Sequence, residues 1–439
     1  MKKNKIDIDS LILILLLLQV TLFSFLDIRG LGNRMILLVV LIRLFVYKRA
    51  DKFLLKTVGS VIIMYFIYLI SAFQGKNFTL SSFIENFIAI IYTFAPLVYV
   101  GWLSKTRPSY FYKTMDNSFV FINVFYIINY VVMILQGLIP GFLSGFSNHV
   151  NNYTPDLMSG LFGYESTSQF GLFSVFVFLY DVFCFNYSKN HKIRHKFRRR
   201  CIELLLFISV VVGAALNDNK GVYITILLAI ISFQMIVISY KNLSKRIMWV
   251  LWVGFVLGVI TIIFGIVVST NMQVFRKISP ELYGTIYQLN KLLADSSYYY
   301  QRQSGSVERV YMLIYAFTHP ETLTFGVGTA YSGWQTSGVL GFDHFGQSDL
   351  SSFLCLGGIS FVSIAFLSFY KQYETIARLS IKKRLPSACL ISTIAFFFFY
   401  TQPWTQSTLS ICLAFMIVPL GMLSNALEEK ILLRNYVVV

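Results

Sequence analysis

Arg302, Arg309, His319 and His344 all fall between Ser269 and Ser348, a polar, aromatic-rich stretch of a chain that is otherwise almost wholly apolar. A long ionisable segment on a greasy chain is where recognition or chemistry concentrates. Within it, Gly305 and Ser306 open a run through Val307, Val310, Ile314 and Phe317 that has helical spacing and stops before Pro320. Glu308 and Arg309 occupy its first turn. A helix apolar at most other positions buries itself, so Arg309 becomes a fixed cation able to do electrostatic work. Pairing with Glu308, which would only dock the helix, is the other use open to it.

The rest of the segment has less to say by itself. Ser279, Pro280 and Glu281 start an amphipathic helix marked by Leu282, Ile286, Leu289 and Leu293. Gly326-Val327-Gly328 follows Pro320, then a Gly, Ser and aromatic stretch leads to Gln347-Ser348-Asp349-Leu350, with Gly357-Gly358-Ile359 beyond. No strand precedes the Gly-x-Gly, which argues against a dinucleotide site.

The elements that must position these groups are membrane helices. The chain has 439 residues, of which 56% are hydrophobic and only 13% charged, about half the usual charged share. A spanning helix needs ~20 mainly apolar residues. Twelve such runs lie near 8–26, 32–47, 58–73, 83–103, 119–139, 166–186, 202–216, 222–240, 247–269, 350–370, 386–402 and 404–424. The expected fold is an all-α, polytopic integral membrane protein of about twelve transmembrane helices. It forms one domain over 1–439, with a large extracytoplasmic loop at 270–349 between the ninth and tenth spans. The first run has no small-residue cleavage site and leads straight into another span, so it reads as a retained helix.

Charge placement orients the bundle. Of the 37 Lys and Arg, 27 fall in segments that are cytoplasmic when both termini are inside, and nine fall in segments that are outside. That is the positive-inside asymmetry, and it places the chain as a multi-pass membrane protein with cytoplasmic termini. Arg43, inside the second span near its cytoplasmic end, reads as a snorkelling residue. The net charge of +17 therefore does not indicate nucleic acid, and the basic run His191 to Arg200 is topological. Cys184, Cys201, Cys355, Cys389 and Cys412 lie in or at the ends of spans without paired spacing, and none lies in the large loop. That loop must gain its order by docking on the bundle.

The order of features from Ser306 to Ile359 resembles the O-antigen ligase and polymerase superfamily, in particular the Wzy-type polymerases of capsule and O-antigen synthesis. The features are an Arg-bearing helix, a Pro, a Gly-x-Gly, a polar stretch with His, then a span opening Ser-Asp-Leu with Gly-Gly-Ile inside it. Asn217-Asp218-Asn219-Lys220-Gly221 stands in the outer turn where relatives have a Ser-Arg pair, and Gly163-Tyr164-Glu165-Ser166 where they have a Gly-containing polar turn.

The resemblance implies a metal-independent, cofactor-free glycosyltransferase that moves a growing chain from polyprenyl diphosphate onto the next lipid-linked repeat unit. It also implies work in the lipid bilayer beside a chain-length regulator and a flippase. The diphosphate would be met by Arg309 and Lys220, with Arg302 and Arg34 as further partners, because guanidinium matches phosphate oxygens in two-point geometry. Lys220 keeps the charge of the family Arg without its fork. His344 would accept the hydroxyl proton, since its unperturbed pKa of ~6.5 lies near operating pH. It stands three residues before Gln347, the position where relatives carry their His. Asp343, Asp349 and Glu165 are carboxylate alternatives, and Trp334 and Tyr331 could stack on sugar faces. A ligase acting on another acceptor would look alike. A transporter of lipid-linked sugar is the rival from another class, but no internal repeat joins 1–220 to 221–439, and the ionisable residues gather outside the spans.

Overall fold

A computed structural model describes residues 8–26, 28–46, 52–74, 80–139, 141–143, 158–163, 166–217, 219, 221–241, 287, 291, 294, 319–328, 348–379, 383–402 and 407–436. All regular elements among the described residues are helical. In chain order they are α1 (Ile8–Val20), α2 (Leu22–Phe25), α3 (Arg29–Val46), α4 (Lys52–Gln74), α5 (Leu80–Thr106), α6 (Pro108–Asn117) and α7 (Phe119–Leu138). After the 3-10 turn Gly160–Phe162 come α8 (Thr167–Tyr187), α9 (Lys196–Leu216) and α10 (Gly221–Lys241). The last are α11 (Pro320–Phe325), α12 (Asp349–Ile376), α13 (Arg384–Tyr400) and α14 (Ser407–Tyr436). Eight helical segments among the described residues are long and apolar enough to cross a membrane, and α13 is a shorter apolar helix. The expected ninth span, 247–269, lies outside the described residues.

Apolar character decides who sits in the middle. α8 is apolar around its whole circumference and buries Phe170, Phe173, Phe176 and Tyr180, as a helix without a polar face must. It packs along α14, which also contacts α5, α10 and α12. α4 and α7 lie at the edge and leave Leu55, Phe66, Phe73, Phe121, Ile127 and Leu138 exposed. Large apolar surfaces of this kind need a lipid partner, so the architecture is that of a membrane-inserted helical bundle.

The two ends of the bundle differ. At the basic end Lys383 Nζ donates to Glu428 Oε1 at 3.2 Å, and Tyr240 donates to the same carboxylate at 2.5 Å. Arg43 and Asp9 meet at that end too. Arg43 does not extend to solvent as the sequence suggested: its Nε and Nη2 donate to the two oxygens of fully buried Asp9 at 2.8 and 3.0 Å. Arg107 Nη1 and the Tyr99 hydroxyl also donate to the carboxylate, at 2.7 and 2.8 Å. A buried carboxylate must find such partners, and here they tie α1, α3 and α5 together.

The expected span at 350–370 is interrupted at Gly357 and Gly358. Phe353 and Phe369 have ring centroids 6.4 Å apart, whereas sixteen residues of unbroken helix would separate them by about 24 Å. α12 therefore folds back at Gly357 and Gly358 into a short first arm, 349–356, and a long second arm, 359–376. Gly358 has φ of +61°, and a Cβ there would lie 2.4 Å from the carbonyl oxygen of Leu323. Only glycine fits that conformation and that approach.

Candidate functional site at the helix ends

Opposite the basic end, the first turns of α8, α10, α12 and α14 meet the last turn of α13. Each of these ends leaves backbone groups without an intrahelical partner, and polar side chains gather to meet them. Asn219, just before α10, donates its Nδ2 to Thr167 O at 3.0 Å, which joins the entries of α10 and α8. Gln169 Nε2 donates to Thr408 Oγ1 at 2.7 Å, which joins α8 to α14. The Asp349 amide donates to Thr401 O at 3.0 Å, and Ser348 Oγ to Phe398 O at 3.0 Å, so the start of α12 is held on the end of α13. Gly221 lies so close to the Tyr400 ring that a Cβ there would meet it, and Ser168, Asn219, Tyr400 and Thr401 line a narrow cleft between these helices.

This polar zone is almost wholly enclosed: Ser166, Gln169, Asn217, Asn219, Ser348, Asp349, Ser351, Ser352 and Thr408 are all buried. Among the described residues, Gln169 Oε1 and Ser351 Oγ have no hydrogen-bond partner. An unmet buried polar atom costs about 1–3 kcal/mol, so such a zone is suited to a polar guest or water. Among the described residues no group of three His, Cys, Asp or Glu side chains is placed to hold a metal ion.

Two polar loops are mounted beside this zone. Before α8, the amides of Gly160 and Leu161 donate to Gln136 Oε1 at 2.8 Å and Asn129 Oδ1 at 2.5 Å, which fixes the chain on α7. Gly163 then packs against the Ser24 carbonyl of α2. On the other side, Pro320 does not simply end a helix but opens α11, with His319 before it and Glu321 in the first turn. α11 stops at Gly326, whose φ is +78°, and the Val327 and Gly328 amides then donate to Cys355 O at 2.8 and 3.3 Å. Gly328 and Ser348 are thus bonded to α12 and to its partner α13 respectively.

Of the residues singled out in the sequence, Asp349 lies within this zone, fully buried at the first position of α12. Arg34 is exposed on α3, which packs on α1, α2 and α5, none of which carries another candidate. Glu165, Lys220, Arg302, Arg309, Tyr331, Trp334, Asp343 and His344 lie outside the described residues. The neighbours of two of them, Ser166 after Glu165 and Asn219 and Gly221 around Lys220, do belong to the zone. Tyr287, Lys291 and Ala294, in the expected amphipathic helix, are helical and exposed.

Sequence reading passed over Gln169, Thr401 and Thr408. Their signal was present as polar residues in the first or last turn of an apolar run, but helix ends are common places for such residues. No family model matches the chain, and no curated protein matches it.

Proposed function

We propose that this protein is a polysaccharide polymerase, a glycosyltransferase that joins polyprenyl-diphosphate-linked oligosaccharide units at the outer face of a bacterial plasma membrane. The supporting observation is the enclosed polar zone at one end of an apolar bundle, with Gly328 bonded to α12 and Ser348 to α13. A polymerase of this type needs a greasy entrance for the lipid, polar groups for sugar hydroxyls, and cations for the leaving diphosphate. The exposed apolar flanks and the polar helix ends suit the first two. Arg309 and Lys220, with Arg302 and Arg34, are assigned to the third.

In this reading twelve spans place both termini in the cytoplasm and 270–349 outside. His344 accepts the acceptor hydroxyl proton, with Asp349 or Glu165 as the carboxylate alternative, and Trp334 and Tyr331 stack on sugar. The broken α12 favours one other reading. Discontinuous helices with buried polar ends are a device of transporters, so translocation of the lipid-linked saccharide is the second possibility. The polar side chains that join helix to helix in this zone, Gln169 and Asn219, sit at the entries of α8 and α10, which suits surface chemistry better than passage.

The test is reconstitution of the full chain in liposomes with a polyprenyl-diphosphate-linked repeat unit and neither metal nor nucleotide. A ladder of products that disappears in Arg309→Ala supports polymerase. Substrate that crosses the bilayer without growing overturns it in favour of transport.

A further inference from the structure

The segment between α8 and α9 carries Lys189, Lys192, Arg194, Lys196, Arg198, Arg199 and Arg200 without an intervening acid. Topology alone would be served by a loose basic loop, yet this one is built. Ser188 Oγ donates to Asp116 Oδ1 at 2.8 Å and Asn190 Nδ2 to Asp116 Oδ2 at 2.5 Å, while the His191 ring stacks on Phe119 at 4.2 Å. The Ile193 amide donates to Phe185 O at 3.1 Å. The acids nearby are already engaged: Asp116 by the loop, and Glu203 by Asn186 at 2.7 Å and Arg199 at 3.8 Å. Lys192, Arg194, Arg198 and Arg200 are exposed and make no ion pair with any described carboxylate.

Their position on α9 indicates the partner. Arg200 shares a helix face with Phe197, Leu204 and Ile208 at spacings of three, four and four. Arg198 shares the adjoining face with Leu205 and Val212. All of these are exposed, Phe197 at 77%, whereas α9 packs inward through Val210, Gly213 and Ala214. The two guanidinium groups thus stand at the foot of an apolar stripe that faces lipid, and not on the side that turns to water. A soluble acidic partner has no use for that stripe, but a phospholipid matches both parts of it.

We propose that the foot of α9 is a binding site for an anionic phospholipid, its phosphate held by Arg198 and Arg200 and its acyl chains lying along Leu204, Leu205 and Ile208. Arg194 and Lys192 on the braced loop supply further charge for the headgroup. The site does not depend on the polymerase reading, since it uses only membrane insertion and the fixed loop.

The test counts lipids retained by the full-length, detergent-solubilised protein in native mass spectrometry during titration with phosphatidylglycerol or phosphatidylcholine. Wild type should retain phosphatidylglycerol in preference. The double variant Arg198→Gln/Arg200→Gln should weaken that retention by roughly five-fold per cation removed, with phosphatidylcholine unchanged and the same elution volume. Lys52→Gln/Lys56→Gln, which removes two exposed cations from α4, should retain the lipid as wild type does. Equal retention of both lipids by wild type would overturn the proposal and move the patch to a soluble acidic partner. An equal loss in the α4 variant would also overturn it, because net charge and not a site would then be at work.

Discussion

The Val327 amide donates to the carbonyl oxygen of Cys355 at 2.8 Å, and the Gly328 amide reaches the same oxygen at 3.3 Å. Cys355 stands in the last turn of α12's short arm, where the fold at Gly357 and Gly358 leaves carbonyls without intrahelical donors. The chain leaving α11 supplies the donors instead. Two glycine-containing motifs separated by a long polar stretch are therefore one structural device: each allows the backbone approach that the other requires.

Gly358→Ala tests that device. The new methyl group would meet the Leu323 and Thr324 carbonyls in a left-handed backbone conformation, at a cost of about 1–3 kcal/mol. The purified variant should melt several degrees below wild type and make no polymer. A variant with unchanged melting and normal product would show that the turn tolerates a side chain.

Gln169→Met separates binding from stability. It keeps the volume of the side chain while removing an acceptor that has no partner among the described residues and the donor to Thr408. Loss of an unmet buried acceptor offsets loss of one hydrogen bond of about 1 kcal/mol, so melting should stay within a few degrees of wild type. Polymer yield should fall at least ten-fold if this zone receives substrate, as read from ladder intensity at equal protein. An unaltered ladder would remove the helix ends from the reaction.

Arg309→Ala should lower polymer formation by ~10² to 10³, the usual cost of deleting one preorganised charge donor, while the protein remains in the membrane fraction. His344→Ala should cost less, because diphosphate is already a good leaving group and gains little from a stronger nucleophile. Measured initial rates in liposomes give the ranking, and a larger loss in the histidine variant would reverse the assignment of roles.

Arg43→Leu probes the opposite end. It strips two donors from fully buried Asp9, while Arg107 and Tyr99 still donate to the carboxylate. Breaking a buried pair by removing one partner costs about 3 kcal/mol or more, so the variant should accumulate poorly and melt well below wild type. Asp9→Asn in the same background should restore part of the loss by removing the stranded charge. If Arg43→Leu melts like wild type, the cluster contributes little to holding α1, α3 and α5 together.

The sequence by itself determined the class of molecule. Long apolar runs with few charges can satisfy their backbone only as helices within lipid, and the runs near 119–139, 166–186 and 222–240 reappear as α7, α8 and α10. It also picked out 326–328 and 357–358, as members of the ordered set of features that carries the family resemblance. Their partnership was not legible, since it is a contact between segments far apart in the chain. The same holds for Asp9 and Arg43, separated by 34 positions, and for Gln169 and Thr408, separated by 239. Hydropathy tells each span that it is buried, but not against which neighbour. Packing alone decided that α12 turns back on itself, that Arg43 faces a carboxylate and not water, and that four helix starts share one polar zone.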